Sequence, residues 1–126
     1  MKAIFINESK VKFIDLMLDN EKLFETRNKD MLKGLFEPEN LYEFIALVST
    51  GKGKPIVKGY AFIRKGFTVS EPELNQIDSA LYIKNTPYQC KPGKSKVLYS
   101  IETPVRCKPY QIPTNAIYHG RSWCEW

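Results

Sequence analysis

Three charged side chains, those of Lys22, Glu25 and Arg27, lie close together in the chain. If residues 23–27 form a strand, Glu25 and Arg27 project from the same face, because side chains alternate along a strand. The guanidinium group of Arg27 can hold a carboxylate or a phosphate through two parallel hydrogen bonds. Lys22 adds a second positive charge. The spacing fits a site for a phosphate or a base edge, and it fits equally well a structural ion pair on a solvated face.

Four further residues are weaker candidates for ligand binding. Tyr60 and Arg64 share one face of a predicted strand, and alternating aromatic and basic residues can stack on bases and contact phosphates. Burial in the core is the favoured alternative for Tyr60 and for Phe62 on the same strand, since large aromatic side chains are mostly buried. His119 and Arg121 alternate in the same way near the end of the chain. His119 can exchange a proton near neutral pH, but a single histidine is more often a packing residue.

The elements that position these residues are short. A strand over residues 2–6 precedes a helix over residues 9–19, which Asn7 or Ser9 can cap. A hairpin of residues 42–49 and 56–64 is joined by a glycine-rich turn, and a second helix begins after Ser70.

Later in the chain we predict a strand over residues 96–103 and a last strand or flap within residues 116–126. Five or six short strands with two helices favour an α+β fold. We expect a small mixed or antiparallel β-barrel with two flanking helices.

Composition restricts the class of protein. A length of 126 residues with 43% hydrophobic residues suits one domain, residues 1–126, with a real core. No apolar run reaches the ~18 residues of a membrane span. Three cysteines without a C-x-x-C motif and a single histidine predict a reduced, cytoplasmic protein without a metal or another cofactor. The net charge of +5 suits a polyanionic partner, although it also serves solubility.

Residues 13–27 resemble the hallmark of the ASCH domain family, a helix followed by a G-x-K-x-x-E-x-R signature that leads into a strand. Lys22, Glu25 and Arg27 match this signature, and Asn20 stands in place of its glycine. Asparagine can adopt the left-handed backbone that the turn requires. The resemblance implies a PUA-like fold and a cleft that binds RNA or modified nucleotides.

The resemblance leaves an enzymatic alternative open. One branch of the family hydrolyses acylated cytidine nucleosides with a threonine three residues after the signature lysine. Glu25 occupies that position here, and Thr26 would face the other way on a strand, which argues against that mechanism. RNA cleavage, with Glu25 as general base and Lys22 stabilising the developing charge, is the other possibility. The leading prediction is a module that binds single-stranded RNA or a nucleotide-like ligand without chemistry.

Overall fold

The computed structural model describes residues 1–126 and contains eight β-strands and two short α-helices. The strands are β1 (Lys2–Asn7), β2 (Phe24–Arg27), β3 (Tyr42–Thr50), β4 (Ile56–Arg64), β5 (Phe67–Ser70), β6 (Ser95–Gln111), β7 (Ile117–His119) and β8 (Trp123–Glu125). The helices are α1 (Phe13–Leu18) and α2 (Glu71–Gln76), and short 3-10 helices occupy Lys33–Leu35 and Asp78–Ala80. None of the helices has the length and apolar character needed to cross a membrane.

The strands form one mixed sheet that curls into a half-barrel. Its order is β2-β6-β4-β3-β1-β8-β7, and β5 also pairs with β6. The β1–β3 pair is parallel, and every other pair is antiparallel. A parallel pair needs a long crossover connection, and here that connection contains α1 and β2. The predicted α+β fold, a small barrel-like sheet with two helices, is confirmed.

The central strand β3 is buried on both faces of the sheet. Ile45 and Leu47 belong to the large core cluster that also contains the apolar side chains of α1. Ala46 and Val48 belong to a smaller cluster on the opposite face. Because neighbouring residues of a strand point to opposite faces, a continuous apolar run fills both layers.

Strand β6 is longer than the predicted strand over residues 96–103, since it continues to Gln111 through two prolines. Its pairing with β4 skips a position at two places, and Pro104 and Pro109 lie within those irregular stretches. Proline lacks the N–H that a regular ladder needs, but it is tolerated at such irregularities. Thr103, directly before the first proline, has a φ of 51° that fits a local bulge.

Helix α1 is shorter than the predicted helix over residues 9–19 because the first predicted turn is not helical. Its start is held by Glu8, whose Oε2 accepts a hydrogen bond from the backbone N–H of Ile14 at 2.9 Å. Asn7 and Ser9 do not cap the helix. The Oδ1 of Asn7 instead accepts from the backbone N–H of Ser9 at 2.8 Å, so the side chain closes a turn before the helix.

The close packing of α1 on the sheet makes Gly59 the position where we expect a small substitution to be costly. A Cβ atom at Gly59 would lie 2.5 Å from the carbonyl O of Val105 and 2.7 Å from Cδ2 of Leu18. Gly59→Ala should therefore lower the free energy of unfolding by roughly 1–3 kcal/mol, measured by chemical denaturation. Gly34→Ala is the control, since its nearest contact would be an ordinary 3.7 Å to Trp123. Equal stabilities of the two variants would contradict this reading of the packing.

Candidate functional site

A cavity of about 330 Å³ opens between β1 and β2. These strands are far apart in the sheet order, and the curl of the sheet brings them together. Arg27 on β2 spans the gap, because its Nη2 donates to the carbonyl O of Phe5 on β1 at 2.7 Å. The volume lies at the small end of ligand pockets, which are roughly 300–1,000 Å³. Its polar lining residues are Asn7, Glu25, Thr26, Arg27, Thr50 and Arg121.

Glu25 and Arg27 form a largely buried ion pair in the cavity wall. The Oε2 atom of Glu25 accepts from Nη2 of Arg27 at 2.9 Å, and the two side chains are 8% and 15% exposed. The Oε1 atom accepts from the backbone N–H of Thr26 at 3.1 Å. A carboxylate offers about four acceptor positions, so the protein leaves acceptor capacity for a ligand that donates hydrogen bonds.

Arg27 is fixed by its neighbours but is not fully hydrogen-bonded. Its Nη2 atom serves both Phe5 and Glu25, whereas its buried Nε has no hydrogen-bond partner. A buried donor without a partner is unfavourable and uncommon in folded proteins. The protein therefore leaves one N–H group of Arg27 unsatisfied.

Lys22 lies next to the cavity rather than in it. Its side chain is 1% exposed, its Nζ donates to the carbonyl O of Leu81, and it stands 4.6 Å from the ring centroid of Phe13, which lines the cavity. Burial lowers the pKa of Lys22 to about 8, although the charges of Glu25 and Asp78 act in the opposite direction. Lys22 therefore adds positive potential to the site without contacting the space where a ligand would lie.

Aromatic rings form the apolar part of the wall. Phe5 from β1, Phe13 from α1 and Tyr88 from the long loop before β6 all line the cavity. Phe13 and Tyr88 meet edge to face, with ring centroids 5.5 Å apart. Such rings can stack on a flat ligand, and the charged pair can hydrogen-bond its edge.

The other predicted site residues divide between the cavity and distant surfaces. Arg121 lines the cavity from the turn between β7 and β8. His119 stacks on Trp123 with centroids 3.9 Å apart, and its Nε2 lies 2.9 Å from Oε1 of Glu125. Neither Tyr60 nor Arg64 lines the cavity.

Tyr60 and Arg64 lie on the outer face of the β3–β4 hairpin, where Tyr60 is half-buried against the smaller core cluster and Arg64 is exposed. The hydroxyl of Tyr60 is 2.6 Å from that of Tyr110, and Arg64 lies over the ring of Tyr42 at 5.5 Å. Phe62, which shares this strand, is 43% exposed, so the expectation of core burial for it was wrong. This aromatic surface is separate from the Glu25–Arg27 cavity.

The sequence did not reveal Phe5, Asn7, Thr50 and Tyr88 as lining residues. Phe5 and Asn7 alternate on β1, whereas Thr50 ends β3 and Tyr88 lies in the loop before β6, so no single local pattern connects all four. The one usable signal was Tyr88, an aromatic residue within the proline-containing loop of residues 85–94. No group of three or more His, Cys, Asp or Glu side chains lies close enough together to hold a metal ion.

Comparison with known proteins bears on the fold alone. No family model and no curated protein matches the sequence. The structure is similar to crystal structures of ASCH from Zymomonas mobilis. One of them has a TM-score of 0.64 at 12% identity and covers 87% of this chain and 73% of that chain. A tyrosine-to-phenylalanine mutant of that protein also has a TM-score of 0.64, at 14% identity, covering 89% of this chain and 77% of the other.

The chain has the ASCH fold. The turn of the ASCH-like signature agrees with this conclusion, because Asn20 adopts a φ of 58°, as predicted for the residue that replaces the signature glycine. Within the ASCH fold the three matching residues have unequal positions: Glu25 and Arg27 line the cavity, and Lys22 is buried beside it.

Proposed function

We propose that this ASCH-fold protein binds single-stranded RNA or a nucleotide and holds one base in the cavity between β1 and β2. The observation that carries the proposal is the meeting of a charged pair, Glu25–Arg27, with three aromatic rings in one cavity. Bases that are free of a duplex can stack on aromatic side chains and can be read at their edges. The net charge of +5 favours a polyanion.

Each group has a chemical role in this proposal. The carboxylate of Glu25 accepts hydrogen bonds from amino or imino groups of the base. The ring of Tyr88 stacks on the base, Phe13 packs edge to face against Tyr88, and Arg121 contacts a phosphate at the rim. A cytoplasmic location is part of the proposal, since the three free thiols suit a reducing compartment.

The stacking role predicts a large effect of Tyr88→Ala on binding of a short, mixed-sequence single-stranded RNA. Stacking of one base is worth about 1–3 kcal/mol, so we expect the dissociation constant to rise roughly 5- to 150-fold, measured by fluorescence anisotropy. Tyr42→Ala on the β3–β4 surface is the matched control. If Tyr42→Ala weakens binding and Tyr88→Ala does not, the RNA lies on the Tyr60–Arg64 surface and the cavity proposal fails.

The enzymatic alternative is favoured by the burial of Lys22 near Glu25. Burial lowers the pKa of Lys22 to about 8, and general acids and bases work best near ambient pH. Binding remains the function that we propose, since the Nζ of Lys22 faces Leu81 and Phe13. Incubation with RNA and with acylated cytidine distinguishes the two functions. Product formation that Lys22→Met and Glu25→Gln abolish would replace the binding proposal with an enzyme.

A further inference from the structure

A second concave surface adjoins the cavity, and we call it the lysine groove. It has a volume of about 320 Å³, and its lining includes Asn28, Tyr88, Cys90, Lys91, Lys94 and Lys96. Tyr88 lines both the groove and the cavity. The two are therefore neighbours that have Tyr88 in common.

The lysine groove carries three positive charges and no carboxylate in its lining. Lys91 and Lys94 are exposed, whereas Lys96 is only 7% exposed. The Nζ of Lys96 donates to Oδ1 of Asn28 at 2.8 Å, and no Asp or Glu forms an ion pair with any of the three lysines. The carboxylate of Glu71, in the adjoining helix α2, instead accepts from Nδ2 of Asn75 at 2.6 Å.

A buried ammonium group without a directly paired counter-ion is unfavourable, because more distant opposite charges offset its desolvation only in part. Burial accordingly lowers the pKa of Lys96, although the carboxylate of Glu25, which forms no ion pair with Lys96, acts in the opposite direction. An ammonium group has three N–H donors, and Asn28 uses one of those on Lys96. An oxyanion in the groove would accept from the others and would neutralise the charge.

We propose that the lysine groove binds the backbone phosphate next to the nucleotide whose base occupies the cavity, so that the ligand is an RNA strand rather than a free base or nucleoside. Lysine binds phosphate as a point charge, and Tyr88 connects the two sites. This inference rests on the proposed function, because it needs a base in the cavity. To the proposed function it adds that the ligand is an RNA strand, and that a phosphate of this strand contacts lysines outside the ASCH-like signature.

The test measures how RNA affinity depends on salt concentration. Each phosphate contact on a single strand contributes about 0.7 to the slope of log affinity against log salt. Because the groove binds one phosphate, we expect Lys91→Ala/Lys94→Ala and, separately, Lys96→Met each to reduce the slope by up to about 0.7. Lys33→Ala/Lys108→Ala is the control, since it removes the same charge at exposed lysines outside both sites.

A second arm uses inorganic phosphate, followed by NMR shifts of the backbone amides of residues 88–96, in wild type and Lys96→Met. Phosphate-dependent shifts that the variant loses are expected. If the lysine variants keep the wild-type salt slope while Tyr88→Ala still weakens binding, the proposed function stands and this inference is overturned. If phosphate binds but wild type binds no RNA, the groove is a site for a free anion and the strand proposal is overturned.

Discussion

Replacing Glu25 with alanine will lower the free energy of unfolding by about 3–5 kcal/mol. The side chains of Glu25 and Arg27 are 8% and 15% exposed, so the substitution leaves a guanidinium group largely buried without its counter-ion. The Nε of Arg27 already lacks a partner, and only the carbonyl O of Phe5 would still accept from its Nη2. Chemical denaturation of the variant and of wild type measures the difference.

The matched control is the ion pair between Asp19 and Arg106, whose side chains are 53% and 55% exposed. Exposed pairs are worth about 0–1 kcal/mol, so Asp19→Ala should change stability by less than about 1 kcal/mol. The double variant Glu25→Leu/Arg27→Met should lose less stability than Glu25→Ala, because it leaves no buried charge unpaired. A loss below about 1 kcal/mol for Glu25→Ala would show that water reaches the pair.

Replacing Lys22 with methionine is expected to stabilise the fold at neutral pH, by up to about 3 kcal/mol. Folding lowers the pKa of Lys22 from 10.5 to about 8 because the ammonium group is buried. Between these two pH values the unfolded chain binds a proton that the native chain has released. Wild-type stability therefore rises with pH across this interval. The native chain buries a neutral amine there, so the free-energy cost of burying an ammonium group is removed.

The difference between wild type and Lys22→Met isolates this titration from that of all other groups. The methionine variant should be more stable at pH 7, and its advantage should shrink as the pH rises from about 8 to 10.5. Lys108→Met, at an exposed lysine, should stay within about 0.5 kcal/mol of wild type at each pH. A constant advantage of Lys22→Met over the whole range would mean that the pKa of Lys22 is unchanged on folding.

Lys22→Met and Glu25→Gln should have different effects on RNA binding. Lys22 contacts Leu81 and Phe13 and does not line the cavity. Lys22→Met should therefore weaken RNA binding only by the loss of a nearby positive charge. Glu25→Gln keeps the shape of the side chain but removes its charge, so it should change which bases bind more than it changes the salt dependence.

Local patterns in the sequence predicted the elements that depend only on residues close together in the chain. The first strand, the β3–β4 hairpin and the left-handed turn at Asn20 follow from neighbouring residues and were confirmed. The predicted helix over residues 9–19 was too long, because its first turn is not helical. The backbone N–H of Ile14 donates to the side chain of Glu8, and neither Asn7 nor Ser9 caps the helix.

The part of β6 beyond Thr103 was not predicted, because it contains two prolines. Prolines usually interrupt a strand, and only the pairing partner decides whether they fall at irregular positions of the ladder. Here β4 provides that partner, and its register accommodates both Pro104 and Pro109.

The sequence by itself determined the charged trio, its order along the chain and the alternation that places Glu25 and Arg27 on one face. Only the tertiary structure decided which residues share the cavity. Strands β1 and β2 are far apart in the sheet order, and the curl of the sheet brings them together. The tertiary structure also buried Lys22, and it buried Lys96 against Asn28 without an ion pair. Burial and charge pairing depend on contacts between distant segments of the chain, and the local spacing of residue types cannot predict those contacts.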